Sequence, residues 1–167
     1  SKGFIVTSAE KNSRLVEFGK QILYKKSLPE GLPLISNSAK DIIGAERCSM
    51  FIYDPKNSEL WTTLADGIER ITIPSDKGIV GKTFNTKEAI IENDVYSNPM
   101  FLKDIDTRTG YVTNNLITSP IYNSEKEIIG VLELLNKENG FDEKDIKYMK
   151  FFSRSLSNFI ELANIYK

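Results

Sequence analysis

The chain has 167 residues and a net charge of −1, from 22 Lys and Arg against 23 Asp and Glu. Charges of both signs are interspersed, which leaves no electrostatic footprint for nucleic acid or an anionic membrane, and no apolar run approaches the ~20 residues of a helical membrane span. Histidine is absent and Cys48 stands alone, which removes the commonest general base, the usual haem ligand, disulfides and thiolate metal cages, so no metal site is expected.

A length of this order buries one adequate core, and a single cytoplasmic domain cut from something longer is expected. Residues 9–25 carry Leu15, Phe18 and Ile22 at spacings of three and four, which predicts an amphipathic helix. Pro29 and Gly31 interrupt, and 32–43 reads as a second helix closed by Gly44. Residues 48–53 are apolar on both faces and predict a strand, with Cys48 as plain core. The turn chemistry of Asp54-Pro55-Lys56-Asn57-Ser58 returns the chain into a hairpin partner over 59–65. A short strand, 70–73, precedes Pro74. Gly78-Ile79-Val80-Gly81 then opens a short helix ending near Asn85, and 89–92 is a brief strand.

From 93 to 114 the composition turns to Asp, Ser, Asn, Thr and Gly around a few aromatics, an excursion long enough to be functional or disordered. Strands follow at 116–122 and 127–135, joined by a polar turn, and a helix over 142–165 closes the chain. The sum is an α+β fold, an antiparallel sheet with helices on one face and pocket-forming segments on the other.

Four features interrupt this frame. Glu133 lies inside the apolar run 131–135, where a carboxylate costs several kcal/mol if buried without a partner, unless that strand face is open to solvent. Gly78, Ile79 and Val80 sit at a helix start, suited to an anion such as a cyclic phosphate or simply a loop–helix junction. Asp106, Thr109 and Thr113 recur at spacings of three and four, offering a carboxylate and two hydroxyls to a ribose or base edge, or serving as caps and Asx turns. Asn136-Lys137 ends the apolar strand, Asp142 marks the next helix start, and Asp145 follows three residues on. Lys137 and Asp142 are expected to meet across this turn, backed by Asn136, and to pin the last helix to a cavity edge.

The last helix shows a stripe of Ile146, Met149, Ser153, Leu156 and Ile160, flanked by Tyr148, Phe152, Ser155, Phe159 and Tyr166. So broad an arc fits either a helix sandwiched between the sheet and the first helix or a parallel dimer with its terminal helices bundled.

Asn136-Lys137, Phe141 and Asp142-Glu143, together with 45–54, 73–81, 98–101 and 106–111, resemble the cyclic-nucleotide-binding GAF domains of cyclic nucleotide phosphodiesterases and some adenylyl cyclases. The resemblance runs from about Leu28 to Tyr166. It implies a GAF domain over 28–167, preceded by a linker or dimerisation helix in 1–27. It implies ligand contacts at Ser49 and Asp66 to the purine, backbone contacts from Ile79 and Val80 to the phosphate, and further contacts from Asp106, Thr109, Thr113 and Glu133. Asn136, Lys137, Phe141, Asp142 and Glu143 become the motif supporting the pocket. Ala65 stands where binding members often carry an aromatic that stacks on the purine.

No catalytic residue and no cofactor follow from the resemblance. It implies a regulatory domain of a larger protein such as a phosphodiesterase, cyclase or kinase, binding cAMP or cGMP and working as a homodimer coupled to an output domain. The alternative is a domain of this fold that binds nothing and only dimerises and relays motion. Methionine sulfoxide reductases of this fold need more than one cysteine, which disfavours that enzyme here.

Overall fold

The computed structural model describes residues 7–62 and 70–163, with the backbone alone at Arg108. Helix α1 (Ser8–Ile22) starts at Thr7, whose hydroxyl oxygen accepts from the Glu10 amide at 3.1 Å. Helix α2 (Leu28–Ile43) begins before Pro29 rather than after it, because a proline in the first turn forfeits an amide that has no helical partner anyway. Gly44 closes α2 in the left-handed conformation at φ 93°. Then come β1 (Ala45–Asp54), β2 (Glu59–Thr62), β3 (Ile71–Pro74), α3 (Gly78–Thr86) and β4 (Ile90–Glu92), followed by α4 (Lys103–Thr109), β5 (Leu116–Tyr122), β6 (Ile128–Lys137) and α5 (Glu143–Ala163).

The six strands form one antiparallel sheet in the order β3-β2-β1-β6-β5-β4. Expectation and structure agree closely over β5, while β6 runs two residues further because Lys137 still pairs with Ala45. The distal part of the expected 59–65 strand lies outside the described residues. The polar excursion is neither extended nor structureless, since it folds into a 3₁₀ turn (Val95–Ser97) and α4.

On one face α1, α2 and α5 bury Phe18, Ile35, Ile42, Met149, Phe152 and Leu156 against Met50, Ile52, Leu132 and Leu134. Phe18 meets Phe152 edge to face, with ring centroids 5.2 Å apart. The wide apolar arc of α5 is therefore consumed largely within the chain, between the sheet, α2 and α1 (Tyr166 lies outside the described residues). The opposite face carries α3 and α4, which pack Val80, Ile79, Leu102 and Ile105 over Phe51, Leu60, Val131 and Leu116.

The two central strands approach each other very closely at Gly130. A β-carbon there would lie 2.2 Å from the Phe51 carbonyl oxygen, and backbone cannot yield as a side chain can. Gly130→Ala is expected to destabilise the fold at or beyond the upper end of the about 1–3 kcal/mol typical of overpacking, read as a lowered midpoint in urea or thermal unfolding.

Candidate functional site

Sheet register places Ser49 of β1, Glu133 of β6 and Thr118 of β5 abreast on the face that α3 and α4 cover. The Thr118 hydroxyl is bonded to that of Thr83 at 2.5 Å, which ties α3 to the sheet. Two voids of about 60 Å³ each lie under α4 and share Phe51, Ile105, Asp106, Glu133 and Leu135 as walls. One void ends at Gly78, Ile79 and Val80, and the other reaches Ser49, Thr62, Thr109 and Tyr111. A sequence-level resemblance therefore brought together residues that do converge, except Asp66 (and Ala65), which lies outside the described residues.

At the α3 end, Lys77 provides no side-chain cap, and Gly81 is the first residue whose amide bonds back within the turn, to the Lys77 carbonyl at 3.1 Å. The amides of Gly78, Ile79 and Val80 consequently have no acceptor among the described residues, and the three residues line the void. Gly78 has φ +73°, and Leu102 packs on it so tightly that a β-carbon would meet the leucine at 3.0 Å. Leu102 thus covers the helix start.

Glu133 resolves its sequence ambiguity by facing inward, 9% exposed. Its carboxyl makes no hydrogen bond among the described residues. Burial, reinforced by the Asp106 carboxylate, pushes its pKa up to about 8. The nearest cation on the wall, Arg47, stacks on the Tyr111 ring at 3.8 Å instead. Thr62 shares the wall, wholly buried and with its hydroxyl unpaired among the described residues.

Asp106, Thr109 and Thr113 do not project from one side of a helix, as their spacing suggested. Gly110 ends α4 in the left-handed conformation and the chain doubles back, so that Asp106 accepts from the Thr113 amide and hydroxyl and from the Tyr96 hydroxyl, each at 2.7 Å. Thr109 donates to the Ile105 carbonyl at 2.8 Å. Both side chains line the cavity, yet their bonding serves the cover itself.

The motif at the end of β6 also departs from expectation. Lys137 pairs with Asp145, at 2.8 and 2.9 Å to its two oxygens, and not with Asp142. Asp142 caps α5 instead, its carboxylate accepting from the amides of Lys144 and Asp145 at 3.0 and 3.2 Å. One helical turn separates the two aspartates, and only the inner one, wholly buried, lies beneath the lysine. Asn136, at φ +59°, accepts from the amides of Asn114 and Asn115 and donates to the Val112 carbonyl and the Tyr111 hydroxyl. Phe141 is buried in the helix-face core, its amide and carbonyl held by the Asn93 side chain. Glu143 is exposed on the helix side and away from the cavity.

Sequence reasoning missed Asp145 as the ion-pair partner, Thr62 as a wall residue, and Tyr96 and Tyr111 as latches. Asp145 carried a signal, its place in the first turn of a helix following a lysine-ended strand. Tyr111 and Tyr96 carried none until the excursion's path was known.

Two outcomes follow. Lys137→Met is expected to cost about 3–5 kcal/mol in chemical denaturation, because Asp145 is left buried without its cation. For Glu133 the folded pKa lies above the ordinary value of 4.5. Its contribution is therefore intact below about pH 4.5 and is lost as pH rises toward 8, at up to about 1.4 kcal/mol per pH unit. Glu133→Gln is expected to flatten that decline and to be the more stable protein at pH 8, measured by urea midpoints across pH.

The GAF domain family model matches residues 27–160. Among curated relatives, the cGMP-specific 3′,5′-cyclic phosphodiesterases of Drosophila virilis and Drosophila melanogaster are each 38% identical over 109 residues. The match takes in 58% of this chain but only 12% and 10% of those proteins, so the chain spans about a tenth of their length. Among solved structures, the GAF domain of a phosphoenolpyruvate-protein phosphotransferase from Coxiella burnetii superposes with a TM-score of 0.82 at 17% identity, covering 95% of this chain and 97% of that one. Free methionine-R-sulfoxide reductase from Neisseria meningitidis, in complex with its substrate, gives 0.75 at 19% identity, covering 98% and 97%. At those identities the likeness is one of fold. With the family model matched over most of its length and the six-stranded sheet in place, the chain belongs to the GAF domain family.

Proposed function

We propose that this domain is a cytoplasmic regulatory module that binds a cyclic nucleotide, cAMP or cGMP, between the sheet and α3–α4. One observation carries the reading: polar groups with no partner among the described residues, the first three amides of α3, the Glu133 carboxyl and the Thr62 hydroxyl, belong to residues lining two adjoining voids that share Glu133 as a wall. Backbone amides and a helix dipole suit a phosphate that carries one negative charge, with no arginine required. The relatives named as cGMP-specific phosphodiesterases support a nucleotide ligand.

The voids are smaller than the 300–1,000 Å³ typical of ligand sites, so binding requires α4 and Leu102 to move outward. That movement pulls on the segment 111–115, which Asn136 holds, and Asn136 adjoins the Lys137 that holds α5. Ligand entry is thereby transmitted to the last helix and, in a homodimer through the terminal helices, to an output domain. Val16, Leu23, Tyr24 and Leu162 are exposed on those helices or just beyond α1 and supply an apolar surface for such a dimer.

A second reading, a relay that binds no ligand, is favoured by the smallness of the voids and by the internal bonding of Asp106 and Thr109.

The protonation of Glu133 bears on the base. A protonated carboxyl offers a donor and an acceptor, the complement of N1 and the N6 amine of adenine, whereas a carboxylate offers two acceptors for the N1 and N2 hydrogens of guanine. With a pKa of about 8 the protonated form prevails at neutral pH. A thermal-shift titration against cAMP, cGMP and a panel of other nucleotides tests the reading. A ligand at a hundred times its Kd adds about 2.7 kcal/mol, or roughly 5–10 °C. The expected result is a selective rise with cAMP at pH 7 that shrinks above pH 8, and a flat response throughout the panel leaves the relay.

A further inference from the structure

On the helix face of the sheet, opposite Glu133, an open groove of about 950 Å³ runs between α5 and the β4–β5 edge. It is far larger than the voids under α4 and falls within the range of small-molecule sites. Its floor holds Ser119 of β5 and Ser153 of α5, 0% and 4% exposed, and neither hydroxyl has a hydrogen-bond partner among the described residues. Buried hydroxyls are almost always satisfied, and each left unpaired costs about 1–3 kcal/mol. Two of them facing one open space point to a polar occupant. Thr118 turns the other way, toward Thr83, so strand alternation separates this groove from the Glu133 cavity.

The rim is cationic in what it leaves free. Lys87 follows α3, Lys126 lies in the β5–β6 turn, and Lys150 and Arg154 stand one turn apart on α5. None of the four forms an ion pair among the described residues. Of the three acidic residues on the rim, Glu161 is engaged by the Ser124 amide and hydroxyl at 2.9 and 2.8 Å, leaving Glu88 and Glu143.

We propose that this groove is a second ligand site, for a small phosphorylated or carboxylated solute. Its anionic group meets Lys150 and Arg154, and its remaining oxygens satisfy Ser119 and Ser153. Helix α5 is fastened to the sheet at Asp145 through Lys137 and at Ser157 through the Tyr122 carbonyl. An occupant bridging Ser119 and Ser153 adds a third attachment between them and biases the position of the helix independently of the cavity on the other face.

The test is an NMR titration of the 167-residue protein with glucose 6-phosphate and, separately, with citrate, following backbone amides. The expected result is saturable shifts at Ser119, Lys150 and Ser153, with affinity lowered about tenfold in Lys150→Gln/Arg154→Gln. Ser119→Ala/Ser153→Ala is expected to fold at least as stably as the parent and to bind several-fold more weakly. A response to one solute alone assigns phosphate or carboxylate as the preferred group. Absence of saturable shifts with both, shifts confined to Ile79 and Val80, or affinity unchanged in both variants overturns the proposal.

Discussion

The Lys137 ammonium is held against Asp145, a carboxylate with no solvent exposure, at the point where the central strand β6 hands over to α5. A buried carboxylate that loses its cation is strongly destabilising, so this contact fixes where α5 begins and how it lies on the sheet. The residue before it, Asn136, spends most of its side chain on the segment leading out of α4, holding two amides, a carbonyl and the Tyr111 hydroxyl. Asn115 returns the grip, its side-chain amide paired with both the carbonyl and the amide of Lys137. Two consecutive residues therefore control the cover of the cavity and the register of the last helix. The cover cannot shift at that end without loading the strand that carries the ion pair.

The two carboxyl groups inside the cavity differ in the partners they have gathered. Asp106 has gathered three donors from the cover itself. Glu133 has gathered none, and burial makes the proton cheaper to keep than to lose. One group belongs to the architecture of the cover, the other to the cavity beneath it. A satisfied network rigidifies, and an unsatisfied group is kept only where something else selects for it.

The sheet and the three-helix face could be read from the chain because their signals are local: alternation, 3.6-residue periodicity, turn residues and a glycine cap at Gly44. The boundaries that slipped did so where chemistry is positional. Pro29 reads as a breaker unless it falls in a first turn, and Lys137 reads as a turn residue unless its pairing with Ala45 is known. The site was legible as a set of residues but not as a set of bonds. Asp106, Thr109 and Thr113 did converge, yet the reversal at Gly110 determined that they bond to one another and to the backbone. The choice between Asp142 and Asp145 likewise rested on which turn of the helix lies under Lys137. Ser119 and Ser153 gave no sequence signal, because a lone serine in an apolar stripe is ordinary until its missing partner is seen.

The strand order has a consequence for how this chain can form and vary. The innermost pair, β1 and β6, joins residues as distant in sequence as Phe51 and Val131, so the heart of the sheet closes over everything between them. Such a closure has a high entropic cost that grows only slowly with the length enclosed. The enclosed stretch carrying α3, β4 and α4 can accordingly lengthen or shorten in its loops at little further cost in closure entropy. A scaffold of this connectivity separates the paired strands that close the sheet from the segments that cover its far face. The cover can then vary in length and sequence while the strands beneath it keep their register.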